Sequence, residues 1–471
     1  MTMERRRVDV VLALLLVLVN GVVLVNAHLH DPFVGYDATA HFGYIGALSE
    51  GRLPTAEDTF EFFTPPLAYV PAAVLSPIGY RSLRLAGRVA LYCNGLWSIG
   101  LTLLLVRIAR LLRPGNAAAP RLALLLLGML PVYYKTFAFV RPEPLLAFLA
   151  VAALHESLRV FGADSPPRWR WIGLGILLGL LVLTRQQGFF VIAATALFAL
   201  GRVVGRRANR RLYLRALAGV LVLAFLVGGW FYLRLQSRHG SAMAYVKEPS
   251  TFSLSNNPVS FYLGTGDGAL FREPVRPLFR NQFLPTFYSE TWGDYGCYFL
   301  VYGIDRRTNS FLSGGALEDA IPRPRAPRFL RTNREEMART LGRVNAVALI
   351  PSALLVLGVI AALPSLLALL RGDEGRSQCA LPLLVVLVTF AAYLALLVVF
   401  PARSGNMIKA TYVLHALPAV ALLGADLLSR IRERSPGTFR LFVVLLVLTT
   451  AHTSVAFVTR YSPAAFARWG L

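Results

Sequence analysis

The chain has 471 residues, 56% of them hydrophobic and 15% charged, and its 48 Lys+Arg against 25 Asp+Glu leave a net charge of +23. Soluble domains sit nearer ~45–50% apolar and ~25% charged. Nucleic-acid binders do not gather apolar residues into blocks of about 15 to 25, the length that crosses a bilayer core as helix. Composition therefore excludes a string of soluble domains and a nucleic-acid partner, and leaves a polytopic membrane protein with basic loops.

The first element follows Glu4-Arg5-Arg6-Arg7 and runs through an apolar stretch from 8 to about 25. This exceeds the ~7–15 residues of a cleavable signal core, so a retained helix entering from a cytoplasmic end is expected. Further apolar blocks follow at 86–107, 121–134, 144–160, 170–183, 188–202, 213–236, 344–370, 380–400, 411–429 and 440–459. The expected fold is an all-α polytopic membrane protein of about eleven transmembrane helices, give or take one. With the N-terminus inside, the six cytoplasmic stretches hold 22 Arg against six acids, the positive-inside pattern.

Two external segments, 26–85 and 237–343, are too long to be mere connectors, so each should carry function or a fold of its own. The expected organisation is a membrane module over 1–236, an external mixed domain over 237–343 between helices seven and eight, and C-terminal membrane helices over 344–471. Only three basic residues are lysine; with so much Leu and Ala this points to a GC-rich, bacterial source. Cys93, Cys297 and Cys379 have neither zinc nor disulfide spacing, so three free thiols are expected.

In the first external segment, Asp37 opens a helix in which Ala38, His41, Ile45 and Leu48 recur at helical spacing. That gives an apolar face suited to the membrane surface. Asp37 and His41, four apart, are neighbours. A carboxylate beside an imidazole can act as general base, or bind a metal or a phosphate-bearing substrate. An aspartate before an apolar run is equally an N-cap, and both readings stand. Glu61 is either an acceptor contact or a solvated acid. Pro65-Pro66-Leu67 then leads into a second short apolar stretch over 67–79, which should lie on the membrane, because crossing would carry the arginines of 107–121 outside.

On Asp37, His41 and Pro65-Pro66-Leu67, the chain resembles integral-membrane glycosyltransferases of the GT-C superfamily, among them protein O-mannosyltransferases and lipid A aminoarabinose transferases. The resemblance extends in layout over roughly 1–235 and in motif over 30–70. Residue 38 is Ala where many relatives have a second acid, and residue 64 is Thr where protein mannosyltransferases have His. The resemblance implies sugar transfer from a polyprenyl-phosphate donor to a lipid, glycan or protein acceptor on the outer face of a bacterial inner membrane. It also implies Asp37 as base and a second acid, Glu143, at the start of a later helix.

The leaving phosphate of such a donor needs cations or a metal. Lys135, Arg141 and Arg185 lie at the outer ends of helices, and a guanidinium suits phosphate. Arg141 could instead pair with Glu143, and Arg185 could snorkel to the interface. Arg84 and Arg88 are weaker candidates, and Arg403 and Lys409 read mainly as interface anchors. A divalent metal is allowed for, without a ligand cluster to hold it. In the run from Tyr288 to Gly296, Asp294 is a candidate sugar contact among aromatics. Competing classes are a lipid-linked saccharide flippase and a non-catalytic assembly protein; the first would want charged or broken helices at mid-membrane.

Overall fold

The computed structural model describes residues 9–75, 82–163, 166–206, 209–245, 247–276, 278, 279, 281–300, 328–401 and 407–460, with backbone only for 82 and 328–335. Arg5-Arg6-Arg7, the turn expected at 322–327 and Arg403 lie outside the described residues. The chain forms α1 (Val10–Leu29), α2 (Ala38–Ser49), α3 (Val70–Val74), α4 (Ser82–Leu112), α5 (Ala118–Gly128), α6 (Pro131–Phe137), α7 (Glu143–Phe161), α8 (Arg168–Val182), α9 (Gly188–Gly205) and α10 (Arg210–His239). Then come α11 (Val259–Leu263), α12 (Phe283–Trp292), α13 (Arg328–Val347), α14 (Leu349–Ala362), α15 (Pro364–Arg371), α16 (Glu374–Ser377), α17 (Ala380–Val399), α18 (Leu417–Arg434) and α19 (Pro436–Thr453). A 3-10 turn, Ala410–Ala416, leads into α18. No strand occurs among the described residues.

All eleven apolar blocks are helical, and nine helices among the described residues are long and apolar enough to span a membrane. The other two blocks form shorter helices, which still run between the same two ends of the bundle. The block at 121–134 breaks at Leu130, whose backbone is extended, and Pro131 starts the separate α6; proline favours a first turn and cannot continue a ladder. α8 has 15 residues, about 22 Å at 1.5 Å per residue, short of a core of about 30 Å.

The bundle has two chemically different ends. At one, the arginine-rich connectors meet: Arg121 pairs with Asp9, Arg113 and Arg430 with Asp426, Arg170 with Glu156, and Arg202 donates to the Phe161 carbonyl. Glu156 also meets His155. At the other end lie the first external segment, the loops after α6 and α8, and the start of α18.

One expectation changes here. α2 does not rest one apolar face on the membrane: Ala38, Ala40, His41, Phe42, Tyr44, Ile45 and Ala47 are all buried, so most of the helix is covered by protein. The described part of the second external segment packs into the bundle. Its Val275, Trp292, Phe299 and Leu300 belong to the same apolar core as the membrane helices. The cysteines form no disulfide among the described residues.

Candidate active site

Asp37 stands just before α2 with φ 58°, a left-handed conformation, and its side chain makes no capping hydrogen bond. The N-cap reading therefore fails: the carboxylate turns away from the helix and meets Lys409 Nζ at 2.7 Å. The ammonium lies 4.9 Å from the Tyr36 ring centroid and 5.6 Å from that of Tyr412, cation–π distances. Burial alone would raise the Asp37 pKa, but Lys409 and Arg141 outweigh it and hold the carboxyl well below the usual range.

Arg141 and Glu143 do pair, and bidentately, with Nε–Oε2 at 2.9 Å and Nη2–Oε1 at 2.8 Å. Both are almost fully buried, so this is not the weak surface pair that two residues flanking a helix start suggest. Arg185 Nη1 donates to Glu61 Oε2 and to Thr64 Oγ1, each at 3.1 Å, and its Nε lies 3.8 Å from Glu143 Oε1. Thr64 in turn donates to Glu61. Glu61 is thus buried rather than solvated, and Arg185, despite the burial, keeps its pKa below the usual carboxylate range. Arg185 does not snorkel.

His41 donates or accepts through Nδ1 with Tyr69 Oη at 2.7 Å, while Nε2 has no partner among the described residues. Burial lowers its pKa to about 4, so the ring is neutral at physiological pH. Asp37, His41, Glu61, Arg141, Glu143 and Arg185 thereby converge with Lys409, so that the three acids are matched by three cations, Arg141, Arg185 and Lys409. Among the described residues no three His, Cys, Asp or Glu side chains gather as metal ligands.

Lys135 and Asp294 lie behind this layer. Lys135 is fully buried and its ammonium meets Glu290 Oε2 at 2.7 Å and the carbonyls of Glu290 and Gly293 at 3.0 and 3.1 Å. All three donors are used within the protein. Asp294 accepts from the backbone N–H groups of Tyr298, Phe299 and Leu300, which organises its own loop. The acid of that run that reaches the site is Glu290: it accepts from Tyr36 Oη at 2.6 Å and so steadies the residue before Asp37. Arg84 lies against Phe33 and Asp31, and Arg88 donates to the Ala27 and His28 carbonyls; neither is drawn into the cluster.

Beside Arg185 opens a cavity of about 220 Å³. Its walls are mostly apolar, with Phe63, Phe189, Phe190, Leu396 and Phe400. Arg185, Gln186, Gln187 and Tyr412 supply the polar wall. Gln186 Nε2, Gln187 Oε1 and Arg141 Nη1 are buried polar atoms without a partner among the described residues.

Tyr412, Tyr36 and Glu290 were not singled out by the sequence, and Lys409 was read mainly as an interface anchor, with donor contact as the lesser alternative. One signal could have found Lys409. In a chain that writes nearly every cation as Arg, two of its three lysines occupy buried ion pairs, where a compact ammonium differs from a planar fork.

No curated protein sequence matches the chain at a significant level. Among solved structures, the chain is similar to the archaeal oligosaccharyltransferase AglB from Archaeoglobus fulgidus in complex with an inhibitory peptide and a dolichol-phosphate. Identity is 15%, coverage 95% of this chain and 56% of that one, and the TM-score 0.49. The apo form of the Archaeoglobus fulgidus oligosaccharyltransferase gives 13% identity, 96% and 56% coverage and a TM-score of 0.46. ArnT from Cupriavidus metallidurans bound to undecaprenyl phosphate gives 18%, 91% and 79%, and 0.37. The chain thus spans little more than half the length of the archaeal proteins. Residues 83–230, about a third of the chain, match the family described as dolichyl-phosphate-mannose-protein mannosyltransferase.

Proposed function

We propose that the protein transfers a sugar from a polyprenyl-phosphate donor to an acceptor hydroxyl, with Asp37 as general base, at the end of the bundle opposite its arginine-rich connectors. By the positive-inside argument those connectors are cytoplasmic, and the site faces outward from a bacterial inner membrane. One observation carries the reading: Asp37, His41, Glu61, Glu143, Arg141 and Arg185 meet beside a largely apolar cavity with Arg185 on its wall. An isoprenoid phosphate needs both properties, an apolar channel and a fixed cation at headgroup level. The mannosyltransferase family matched by residues 83–230 is named for donors of this class. The charges sit at one end of the bundle rather than at mid-membrane, which gives the flippase alternative no support.

In the transfer, the acceptor oxygen bonds to the anomeric carbon as the bond from that carbon to the phosphate oxygen breaks. The acceptor proton passes to Asp37, and polyprenyl phosphate leaves with its charge held by Arg185. A carboxylate paired with an ammonium is a poor base, since base strength falls with pKa. Lys409 resolves this. Its neighbours Met407 and Tyr412 line the cavity, so a donor phosphate there competes with Asp37 for the ammonium. Once Lys409 turns to the phosphate, Asp37 loses its strongest cation and its basicity rises. Lys409, joining Arg185 at the leaving phosphate, thereby also arms the base.

The test is Asp37→Asn, assayed in proteoliposomes with a polyprenyl-phosphate sugar. The variant should reach wild-type levels in the membrane and lose transfer by at least ~100-fold, the lower range of general-base contributions. Transfer surviving in Asp37→Asn would remove Asp37 from the mechanism.

A further inference from the structure

At the end of the bundle opposite Asp37 lies a second cavity, about 230 Å³ in volume, between the end of α4, the α16–α17 junction and the last turns of α18. Its charged lining is Arg113, Arg376, Arg430, Arg434, Asp426 and Glu433. The glycosyl-transfer reading uses none of them.

The two acids do not neutralise the four guanidiniums. Asp426, with a side chain only 7% exposed, is shared by two of them, Arg113 Nε at 2.5 Å and Arg430 Nη2 at 2.8 Å. This carboxylate fixes both forks at the cavity wall but can balance only one. Glu433 lies 3.8 Å from Arg113 and is more than half exposed, a geometry worth little. Arg376 and Arg434 have no ion-pair partner among the described residues. Other arginines at this end are engaged: Arg121 by Asp9, Arg202 by the Phe161 carbonyl and Ser377. Gly375, without a side chain, leaves the cavity mouth open between α16 and α18.

We propose that this cavity is a binding site for a phosphate group, supplied by the headgroup of an anionic phospholipid. Guanidiniums take phosphate oxygens in paired, charge-assisted hydrogen bonds. The volume suffices: a water takes about 30 Å³ of liquid. The site stands at the ends of three membrane helices, at headgroup level, where basic pockets meet anionic lipid. Two wall cations are held in place by Asp426 before any ligand arrives, so little side-chain entropy is lost on binding.

The experiment is a thermal unfolding series on the full-length protein in neutral detergent, with added phosphatidylglycerol, phosphatidylcholine or inorganic phosphate. Phosphatidylglycerol should raise the wild-type midpoint by several degrees and phosphatidylcholine should not. The pair Arg376→Glu with Arg434→Glu should lose most of that rise. The pair Arg210→Glu with Arg211→Glu, exposed residues at the start of α10, should keep it. Should the glutamates prevent folding, Arg376→Gln with Arg434→Gln removes the charge without reversing it. A rise with inorganic phosphate alone, lost in the same variant, would support the site with a free phosphate as its ligand. An equal phosphatidylglycerol rise in wild type and in the Arg376/Arg434 variant, or no rise with any anion, overturns the proposal.

Discussion

Asp37 is held in a left-handed backbone conformation that aspartate tolerates better than most residues, and this aims its carboxylate at Lys409 instead of along its own helix. The support comes from behind. Tyr36 Oη donates to Glu290, and Lys135 holds the other oxygen of that acid. Gly296 makes room, because a Cβ there would come within 2.5 Å of Tyr36 Oη. Lys135→Met leaves Glu290 buried and uncompensated, a loss of about 3–5 kcal/mol. Lys135→Met with Glu290→Gln should recover much of it, which paired melting curves will measure. A second prediction concerns His41. Burial depresses its folded pKa to about 4, below the ordinary value of 6.5. Between those values the unfolded chain binds a proton that the folded chain refuses, so stability is present above pH 6.5 and falls toward pH 4. The contribution is of order 3 kcal/mol. Midpoints measured from pH 7 to 4 should therefore fall less steeply in His41→Gln than in wild type.

At the scale of elements, α17 depends on the second external segment for its C-terminal end. Asn257 Nδ2 donates to the Leu397 carbonyl at 3.0 Å, Asn256 Nδ2 to Val398 at 2.9 Å, and the Ser250 N–H to Val399 at 3.0 Å. Those three carbonyls belong to the last turn, which has no intrahelical donors. Asn256→Ala and Asn257→Ala should each lower stability by about 1 kcal/mol, with the greater loss at the buried Asn257. In circular-dichroism melts, equal wild-type behaviour in both would show that water replaces the caps. The same scale explains what sequence patterning could deliver. Runs of Leu, Val and Ala reveal helices wherever they exceed about four turns, and all eleven blocks are helical. Patterning did not reveal that α2 buries most of its residues, because that depends on what packs around the helix.

For the whole molecule, charge sorts the two ends. The connectors rich in Arg gather at one, and the acids Asp37, Glu61 and Glu143 at the other. A membrane-impermeant maleimide added to intact cells should label Glu50→Cys, an exposed position at the end of α2, and spare Arg210→Cys. The native cysteines offer little background, two being buried and Cys93 half-buried. Reversed labelling would put the site on the cytoplasmic side.

Residue order alone was enough for the membrane class, the helical blocks, the loops that carry the polar chemistry, and Asp37, Glu143 and Arg185 as residues worth watching. Hydropathy and charge are local quantities, and a bilayer reads them locally. Which charges meet was settled elsewhere. Asp37 and Lys409 are 372 positions apart, Arg185 and Glu61 are 124 apart, and Lys135 and Glu290 are 155 apart. Each pair is brought together by the packing of helices that cross the bundle in alternating directions. Ion pairs depend on distance in space, so only folding could assign Lys409 to Asp37 and enclose Lys135 with Glu290.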